Sequence, residues 1–134
     1  MISFRLDGYK FNFRVACIII SSDNRVLLNT DDNKDFWLLP GGRVLTGEDS
    51  KVAIKREIKE EFNCEITVGE KVEDTTYEYE KVIVRLETYM STILNGTPTA
   101  LEHADTRWVP RNQLLSLDFA PADIPAVEKL INEK

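Results

Sequence analysis

The sequence predicts one domain of the α/β (α+β) class over residues 1–134, with a mixed, largely antiparallel sheet and helices on both of its faces. Residues 15–20 are apolar without a break, which is typical of a central strand covered on both sides. Residues 48–63 and 122–132 have the periodicity of helices. Much of the remaining chain alternates between apolar and polar residues, as antiparallel strands do.

Short strands and tight turns are predicted before the first helix. Residues 2–13 alternate around a turn at 7–8, which is the pattern of a hairpin. A second turn at 23–24 precedes a short strand at 26–28, and residues 36–39 form another short apolar segment.

The helix predicted at residues 48–63 has signals at both ends. Thr46 and Asp49 have the spacing of a capping box, and Asn63 stands where a helix ends in a left-handed residue. Its apolar stripe, at a spacing of four residues, consists of Ile54, Ile58 and Phe62.

The second half of the chain is predicted to be mostly strands. The clearest one places Val82, Val84, Leu86, Thr88 and Met90 on one face, and residues 95–96 form a turn. The predicted elements are strands at 66–72, 75–79, 82–92 and 106–109, a helical turn at 113–115 and the closing helix at 122–132.

The charge balance restricts the partners of the protein. A formal net charge of −6 argues against a nucleic-acid partner, because binding a polyphosphate backbone needs a broad basic surface. A small polyanionic substrate would need bound cations or a local basic pocket. We expect a monomer or a homodimer.

The sequence also predicts a cytoplasmic protein with no membrane contact. The N-terminus has no apolar signal-peptide core, and the longest apolar run is too short to span a bilayer. Two cysteines, Cys17 and Cys64, do not make a disulfide framework, and we expect both to be reduced and buried.

Three carboxylates close together on the first helix are the most informative feature. Offsets of three and four residues place Glu57, Glu60 and Glu61 within an arc of about 100°. Arg56, four residues before Glu60, can offset part of their repulsion, and the remaining negative charge favours a hard divalent cation. Charged residues on a helix often mark only a face that is exposed to solvent. The spacing of the longer segment around them is therefore needed to decide whether they form a site.

The spacing from residue 42 to residue 64 resembles the Nudix box, G-x5-E-x7-R-E-U-x-E-E-x-G-U, where U is a bulky apolar residue. The chain has Gly42, five residues, Glu48, seven residues, Arg56-Glu57-Ile58, one residue and Glu60-Glu61. Two positions depart from the pattern, since Asn63 replaces the last Gly and Cys64 the last apolar residue. Asn tolerates the same left-handed conformation, so the first departure is mild.

The resemblance implies an α/β/α sandwich and a hydrolase that splits a pyrophosphate linkage in a nucleotide. It implies that Glu57, Glu60 and Glu61 bind divalent metal or activate water, with the Gly41 carbonyl as a further ligand. It also implies that Arg56 orients a glutamate and that Glu48 supports the site. The expected metal is Mg²⁺, for which Mn²⁺ can substitute. We assign the general base to Glu57.

A later loop offers an alternative base. Some Nudix members use one there, and Glu102 could fill this role or add a metal ligand; it could equally be an exposed loop acid. The neighbouring His103 is interpreted as a surface or hydrogen-bonding residue.

The C-terminal segment at 119–125 resembles that of MutT-type nucleoside triphosphate pyrophosphohydrolases, and of CTP pyrophosphohydrolases in particular. This implies that Asp123 accepts hydrogen bonds from the base, although it is also placed to cap the last helix. Trp37 comes just before the glycine turn, Pro40-Gly41-Gly42, and could stack on a base or pack in the core.

Residues 29–32 lack the arginine usual in MutT-type members at that place, so phosphate contacts have to come from elsewhere. The candidates are Arg14, Arg43 and Lys34, and we assign Arg43 to substrate binding.

Three functions remain open from the sequence. The first is hydrolysis of a nucleoside triphosphate, ribo or deoxy, to its monophosphate and pyrophosphate. The second is hydrolysis of a nucleoside diphosphate linked to another group, as in ADP-ribose or a nucleotide sugar. The third is a nucleotide-binding regulatory module without catalysis.

Overall fold

The computed structural model describes residues 9–30, 36–98 and 105–132. Within these ranges, the strands are β1 (Lys10–Ile19), β2 (Arg25–Thr30), β3 (Trp37–Leu38), β4 (Gly41–Arg43), β5 (Glu65–Tyr79), β6 (Val82–Asn95) and β7 (Thr106–Pro110). The α-helices are α1 (Ser50–Phe62) and α2 (Ile124–Asn132). Two 3₁₀ helices, Arg111–Ser116 and Pro121–Asp123, precede α2.

The strands form two sheets, one of order β4-β1-β6-β5 and one of order β3-β2-β7. Strands β1 and β6 run parallel, and the other four pairings between these strands are antiparallel. The predicted mixed, largely antiparallel sheet is therefore confirmed.

Two apolar clusters lie on opposite faces of the sheets. One cluster joins α1 to one face through Ile54, Ile58 and Phe62, which pack against Val15, Cys17 and Ile19 of β1. The other joins α2 to the opposite face, where Ala126 and Leu130 pack with Ala16 and Ile18. Because side chains alternate along a strand, β1 supplies both clusters and is buried on both sides. The predicted α/β/α layering is confirmed.

Helix α1 is shorter than predicted, and its N-cap differs. The cap is Asp49, whose extended backbone and side-chain bond to Lys51 N start the helix; Thr46 does not cap it, so that prediction was wrong. The reason is the preceding turn, where Gly47 has a φ of 80° and Glu48 N–H donates to Leu45 O. At the other end, Asn63 is left-handed at φ 51° and ψ 46°, as predicted.

Other boundaries also shift. The two strands predicted at 66–72 and 75–79 are one strand, β5, with register irregularities between Val68 and Glu73. The closing helix begins at Ile124, after a 3₁₀ turn. The first half of the predicted N-terminal hairpin, residues 2–8, lies outside the described residues.

Both cysteines are free and buried, as predicted. Burial raises the pKa of the Cys17 thiol. No helix in the described part of the chain is long and apolar enough to cross a bilayer.

Candidate active site

The site is organised where the glycine turn meets α1. Gly42 lies on β4 opposite Val15 of β1, on the face that α1 covers. A Cβ at Gly42 would overlap the carboxyl carbon and Oε1 of Glu57. The absence of a side chain therefore lets a helix carboxylate approach the strand backbone closely. The side chain of Glu57 is only 14% exposed.

Arg56 holds the acidic residues together. Its Nε donates to Glu48 Oε2 at 2.7 Å, and its Nη2 donates to Glu48 Oε1 at 2.9 Å. Its Nη1 donates to Glu57 Oε2 at 2.9 Å and to Glu60 Oε1 at 3.1 Å. Nη2 also donates to the backbone carbonyl of Arg43 at 2.9 Å. One guanidinium thus ties three carboxylates to the end of the glycine turn, which fits the predicted orienting role of Arg56.

Glu48 secures this arrangement from the loop before α1. Its Oε1 also accepts from Leu45 N at 3.0 Å, so the side chain ties the loop to the helix through Arg56. The hydrogen bonds from Arg56 and Leu45 lower the pKa of Glu48 from 4.5 to about 2, and the carboxylates raise the pKa of Arg56. Glu48 is therefore ionised over the whole physiological range.

The remaining predicted metal ligands belong to α1 and β4, the two elements that meet at Glu57. Glu60 has a side chain that is 57% exposed, Glu61 is exposed on the same helix, and Gly41 lies in β4. Within residues 9–30, 36–98 and 105–132, no three acidic, histidine or cysteine side chains converge as in a formed metal site. The donor chemistry nonetheless fits a hard divalent ion, since carboxylate and carbonyl oxygens are its preferred ligands. The close approach of Glu57 to Gly42 places one of these carboxylates against the strand that carries Gly41.

Asp123 lies on the other face of the sheets, at the start of α2. It is 6% exposed, and its Oδ2 accepts from Leu39 N at 2.9 Å. Burial raises the pKa of Asp123 to about 7, against the opposing effects of the Leu39 N–H and Arg14. The carboxylate thus fastens the segment before the glycine turn, a contact that the sequence did not indicate.

Replacing Asp123 with Asn should change how stability depends on pH. The folded-state pKa is raised above its unfolded value of 3.8, so wild-type stability falls as the pH rises from about 4 to about 7. Asn keeps an oxygen for Leu39 N but cannot ionise. Between pH 4 and pH 8, we expect the stability difference to move in favour of Asp123→Asn by on the order of 4 kcal/mol. Urea unfolding at several pH values measures this, with exposed Asp118→Asn as the control. A difference that does not vary with pH would contradict it.

Trp37 is half-buried near Asp123. It packs against the same apolar cluster as Leu39, and the Arg107 guanidinium lies 4.9 Å from the centre of its ring. Trp37 therefore has packing contacts, and Arg107 lies over one face of its ring.

Arg43 is exposed, and its side chain lies on the face away from α1, because it is next to Gly42 on the strand. The structure thus separates the predicted site residues. Glu48, Arg56, Glu57 and Glu60 meet on the α1 face, whereas Arg43, Trp37 and Asp123 lie on the opposite side.

Some predictions are not tested, and two contacts were missed. Glu102, His103 and Lys34 lie outside the described residues. Sequence reasoning missed Arg107 and Tyr79, whose hydroxyl oxygen accepts from Ala122 N at 3.0 Å beside Asp123. Neither residue belongs to a local sequence pattern, because the packing of strands that are distant in the chain brings each of them to the site.

Comparison with known proteins shows the family to which the chain is similar. The NUDIX domain family model matches residues 10–130. The chain is 34% identical over 118 residues to the CTP pyrophosphohydrolase of Escherichia coli K12, covering 85% of this chain and 87% of that protein. It is 32% identical over 94 residues to the 8-oxo-dGTP diphosphatase of Haemophilus influenzae, covering 70% and 69%.

A solved structure gives the same result. The solution structure of MutT, a Nudix hydrolase from methicillin-resistant Staphylococcus aureus 252, is 42% identical, with a TM-score of 0.77. The match covers 94% of this chain and 99% of that one. With its box assembled between the glycine turn and α1, the chain belongs to the Nudix hydrolase family.

Proposed function

We propose that the protein hydrolyses a nucleoside triphosphate to its monophosphate and pyrophosphate, with Mg²⁺ as the divalent ion. The observation that carries the proposal is the packing of Glu57 against Gly42, with Arg56 tying it to Glu48 and Glu60. The relatives named for CTP and 8-oxo-dGTP support a triphosphate as the substrate.

The reaction adds water across a phosphoanhydride. A bond forms between the water oxygen and one phosphorus, the bridging P–O bond breaks, and the leaving phosphate oxygen keeps the electron pair. We expect Glu57 to take the proton from water. Among the carboxylates of α1 at the site it has the least exposed side chain, and a hydrogen bond from Arg56 fixes its position. Glu102 remains the alternative base.

Nudix hydrolases require a divalent metal ion, and the residues that would hold it here are Glu57, Glu60, Glu61 and the Gly41 carbonyl. When bound, the ion would neutralise charge on the phosphate oxygens and make the attacking water easier to deprotonate. Arg56 and Glu48 do not need to touch the substrate. They fix the position of Glu57, and so act as positioning residues.

The opposite face would hold the nucleoside. Asp123 offers a carboxylate to base N–H groups, Trp37 offers an aromatic ring, and Arg43 offers a cation to phosphate. A silent binding module is disfavoured, because Glu48, Arg56, Glu57, Glu60 and Glu61 are all retained.

Location and assembly belong to the same proposal. The two free, buried cysteines fit the reducing environment of the cytoplasm. A monomer or homodimer without a nucleic-acid partner stays a prediction from the sequence, as does a single domain over residues 1–134.

A substrate panel tests the function. The protein is incubated with Mg²⁺ and each common and oxidised nucleoside triphosphate, ADP-ribose and nucleotide sugars, and the products are separated by chromatography. One monophosphate with pyrophosphate, from one or two triphosphates, is the expected result. Two monophosphates from a diphosphate-linked substrate would instead identify the second class of hydrolase. No turnover by folded protein with metal would contradict both.

Replacing Glu61 with Gln should lower metal-dependent turnover by about 100-fold or more, because it removes a proposed metal ligand. The protein should stay folded, because Glu61 is exposed on α1. Turnover is measured across a titration of Mg²⁺ and of Mn²⁺, with the exposed Glu70→Gln on β5 as the matched control. Wild-type turnover in Glu61→Gln would remove this residue from the metal site.

A further inference from the structure

Two arginines face each other across neighbouring strands on the side away from α1. Arg14 of β1 pairs in register with Arg43 of β4, and their side chains point to the same face as Ala16 of the α2-side cluster. Residues directly opposite each other in an antiparallel pair have Cβ atoms about 5 Å apart. Two like charges are therefore held together by the backbone itself.

These two side chains differ from the other arginines of the described ranges. Arg25, Arg56 and Arg85 have carboxylate partners, Arg107 lies over Trp37, and Arg111 donates to Leu130 O. Within residues 9–30, 36–98 and 105–132, no hydrogen bond or ion pair engages the guanidinium of Arg14 or of Arg43. Asp123 attracts Arg14 without forming such a contact. The chain as a whole has a net charge of −6, so two adjacent arginines without a carboxylate partner form a local region of positive charge.

The pair lies on the Asp123 side of the sheet, at the edge that β4 forms. On one side, Arg14 is close enough to Asp123 and Tyr79 to affect the pKa of both. On the other side, the Arg43 carbonyl accepts from Arg56, so Arg43 is attached to the catalytic end of α1. Because β4 is the edge strand of its sheet, a nucleotide with its base at Asp123 and its anhydride at Glu57 would pass round this edge, with its first phosphate beside Arg43.

We propose that Arg14 and Arg43 together bind the phosphate that stays on the nucleoside, and so make a 5′-phosphate a requirement for binding. This inference rests on the proposed function, which supplies a nucleotide as the substrate. Paired guanidinium groups suit this task, because each can donate two parallel hydrogen bonds to phosphate oxygens. The repulsion between the two charges is relieved when the anion is bound.

The competing explanation is that Arg14 only serves as a counter-charge for Asp123. Under that explanation, losing Arg14 affects the base end and leaves the phosphate contact unchanged. A nucleoside and its monophosphate separate the two explanations, because they share the base and sugar and differ only in the phosphate.

The experiment measures binding by isothermal titration calorimetry in the presence of a chelator, so that it depends on neither metal nor turnover. The ligands are the monophosphate and the free nucleoside of the triphosphate that wild-type protein hydrolyses fastest. The variants are Arg14→Gln, Arg43→Gln and Arg14→Lys, with Arg25→Gln as the control, and thermal melting confirms that each is folded. We expect Arg14→Gln and Arg43→Gln to weaken monophosphate binding about tenfold, because a charged hydrogen bond is lost. Nucleoside binding should be unchanged, and Arg14→Lys should lose less.

Two results would overturn the proposal. One is monophosphate binding by Arg14→Gln that equals that of Arg25→Gln. The other is an equal loss of nucleoside and monophosphate binding, which would assign Arg14 to the base end. The turnover of wild-type protein in the substrate panel is a separate measurement. Its failure would reject the proposed function, whereas unchanged monophosphate binding with normal turnover would reject only the role of the arginine pair.

Discussion

Replacing Gly42 with Ala is expected to lower turnover by about 100-fold or more while the protein stays folded. The added methyl group would overlap the carboxyl group of Glu57, which is the far end of a flexible side chain and can move aside. The backbone then keeps its position, but the proposed base loses its place against the glycine turn. A displacement of about 1 Å in a catalytic group is enough for a rate loss of this size.

The neighbouring glycine provides the matched comparison. A Cβ at Gly41 would overlap the backbone carbonyl of Val15, which belongs to the central strand and cannot move independently. Gly41→Ala should therefore reduce the melting temperature, whereas Gly42→Ala should mainly reduce kcat. Thermal melting and steady-state kinetics on both variants measure this. Equal loss of stability in the two variants, or normal turnover in Gly42→Ala, would show that Glu57 does not depend on this close approach.

Replacing Arg56 with Gln should have the second largest effect, because it reduces both stability and turnover. The change removes the hydrogen bonds that join Glu48, Glu57, Glu60 and the Arg43 carbonyl. The carboxylates then repel one another without a cation between them. We expect the melting temperature to fall by on the order of 5 °C or more, and turnover to fall about 10- to 100-fold through misplacement of Glu57.

The pH dependence of this effect identifies its source. Arg56 and Leu45 lower the folded pKa of Glu48 to about 2, so the stabilisation is complete above the ordinary value of 4.5 and is lost as the pH falls toward 2. The difference in melting temperature between wild type and Arg56→Gln should be constant above pH 5 and shrink below it. Arg25→Gln, which breaks the exposed pair with Asp23, should change stability little at any pH. A difference that does not shrink in acid would mean that Glu48 is not the partner that matters.

The fold could be predicted from the sequence wherever a local pattern carries it. The apolar run of β1 predicted a strand buried on both faces, and the spacing of Ile54, Ile58 and Phe62 predicted the buried side of α1. The left-handed end at Asn63 followed from residue type alone. The family resemblance followed from the box, and the family comparison confirms it.

Other features could not be predicted because they depend on residues far apart in the chain. The capping box was wrong since a turn at Gly47, combined with the contacts of Glu48, moves the helix start to Asp49. The polar residues near 73–74 favoured a break between strands, but pairing of β5 with β6 continues through them. The bond from Leu39 N to Asp123 spans 84 residues and has no sequence signal.

The hydrogen bond between Asp123 and Leu39 also bears on inhibitor design. Oδ2 already accepts a main-chain N–H, so among the described contacts Oδ1 has more acceptor capacity left for a donor from a bound molecule. A compound aimed at Asp123 should therefore direct a single N–H toward Oδ1 rather than present an amidine-like pair of donors. A two-donor head group would share Oδ2 with the Leu39 N–H and so weaken the bond that holds the segment leading into the glycine turn. Selectivity among related enzymes would then depend on how many acceptors each one leaves open at this position.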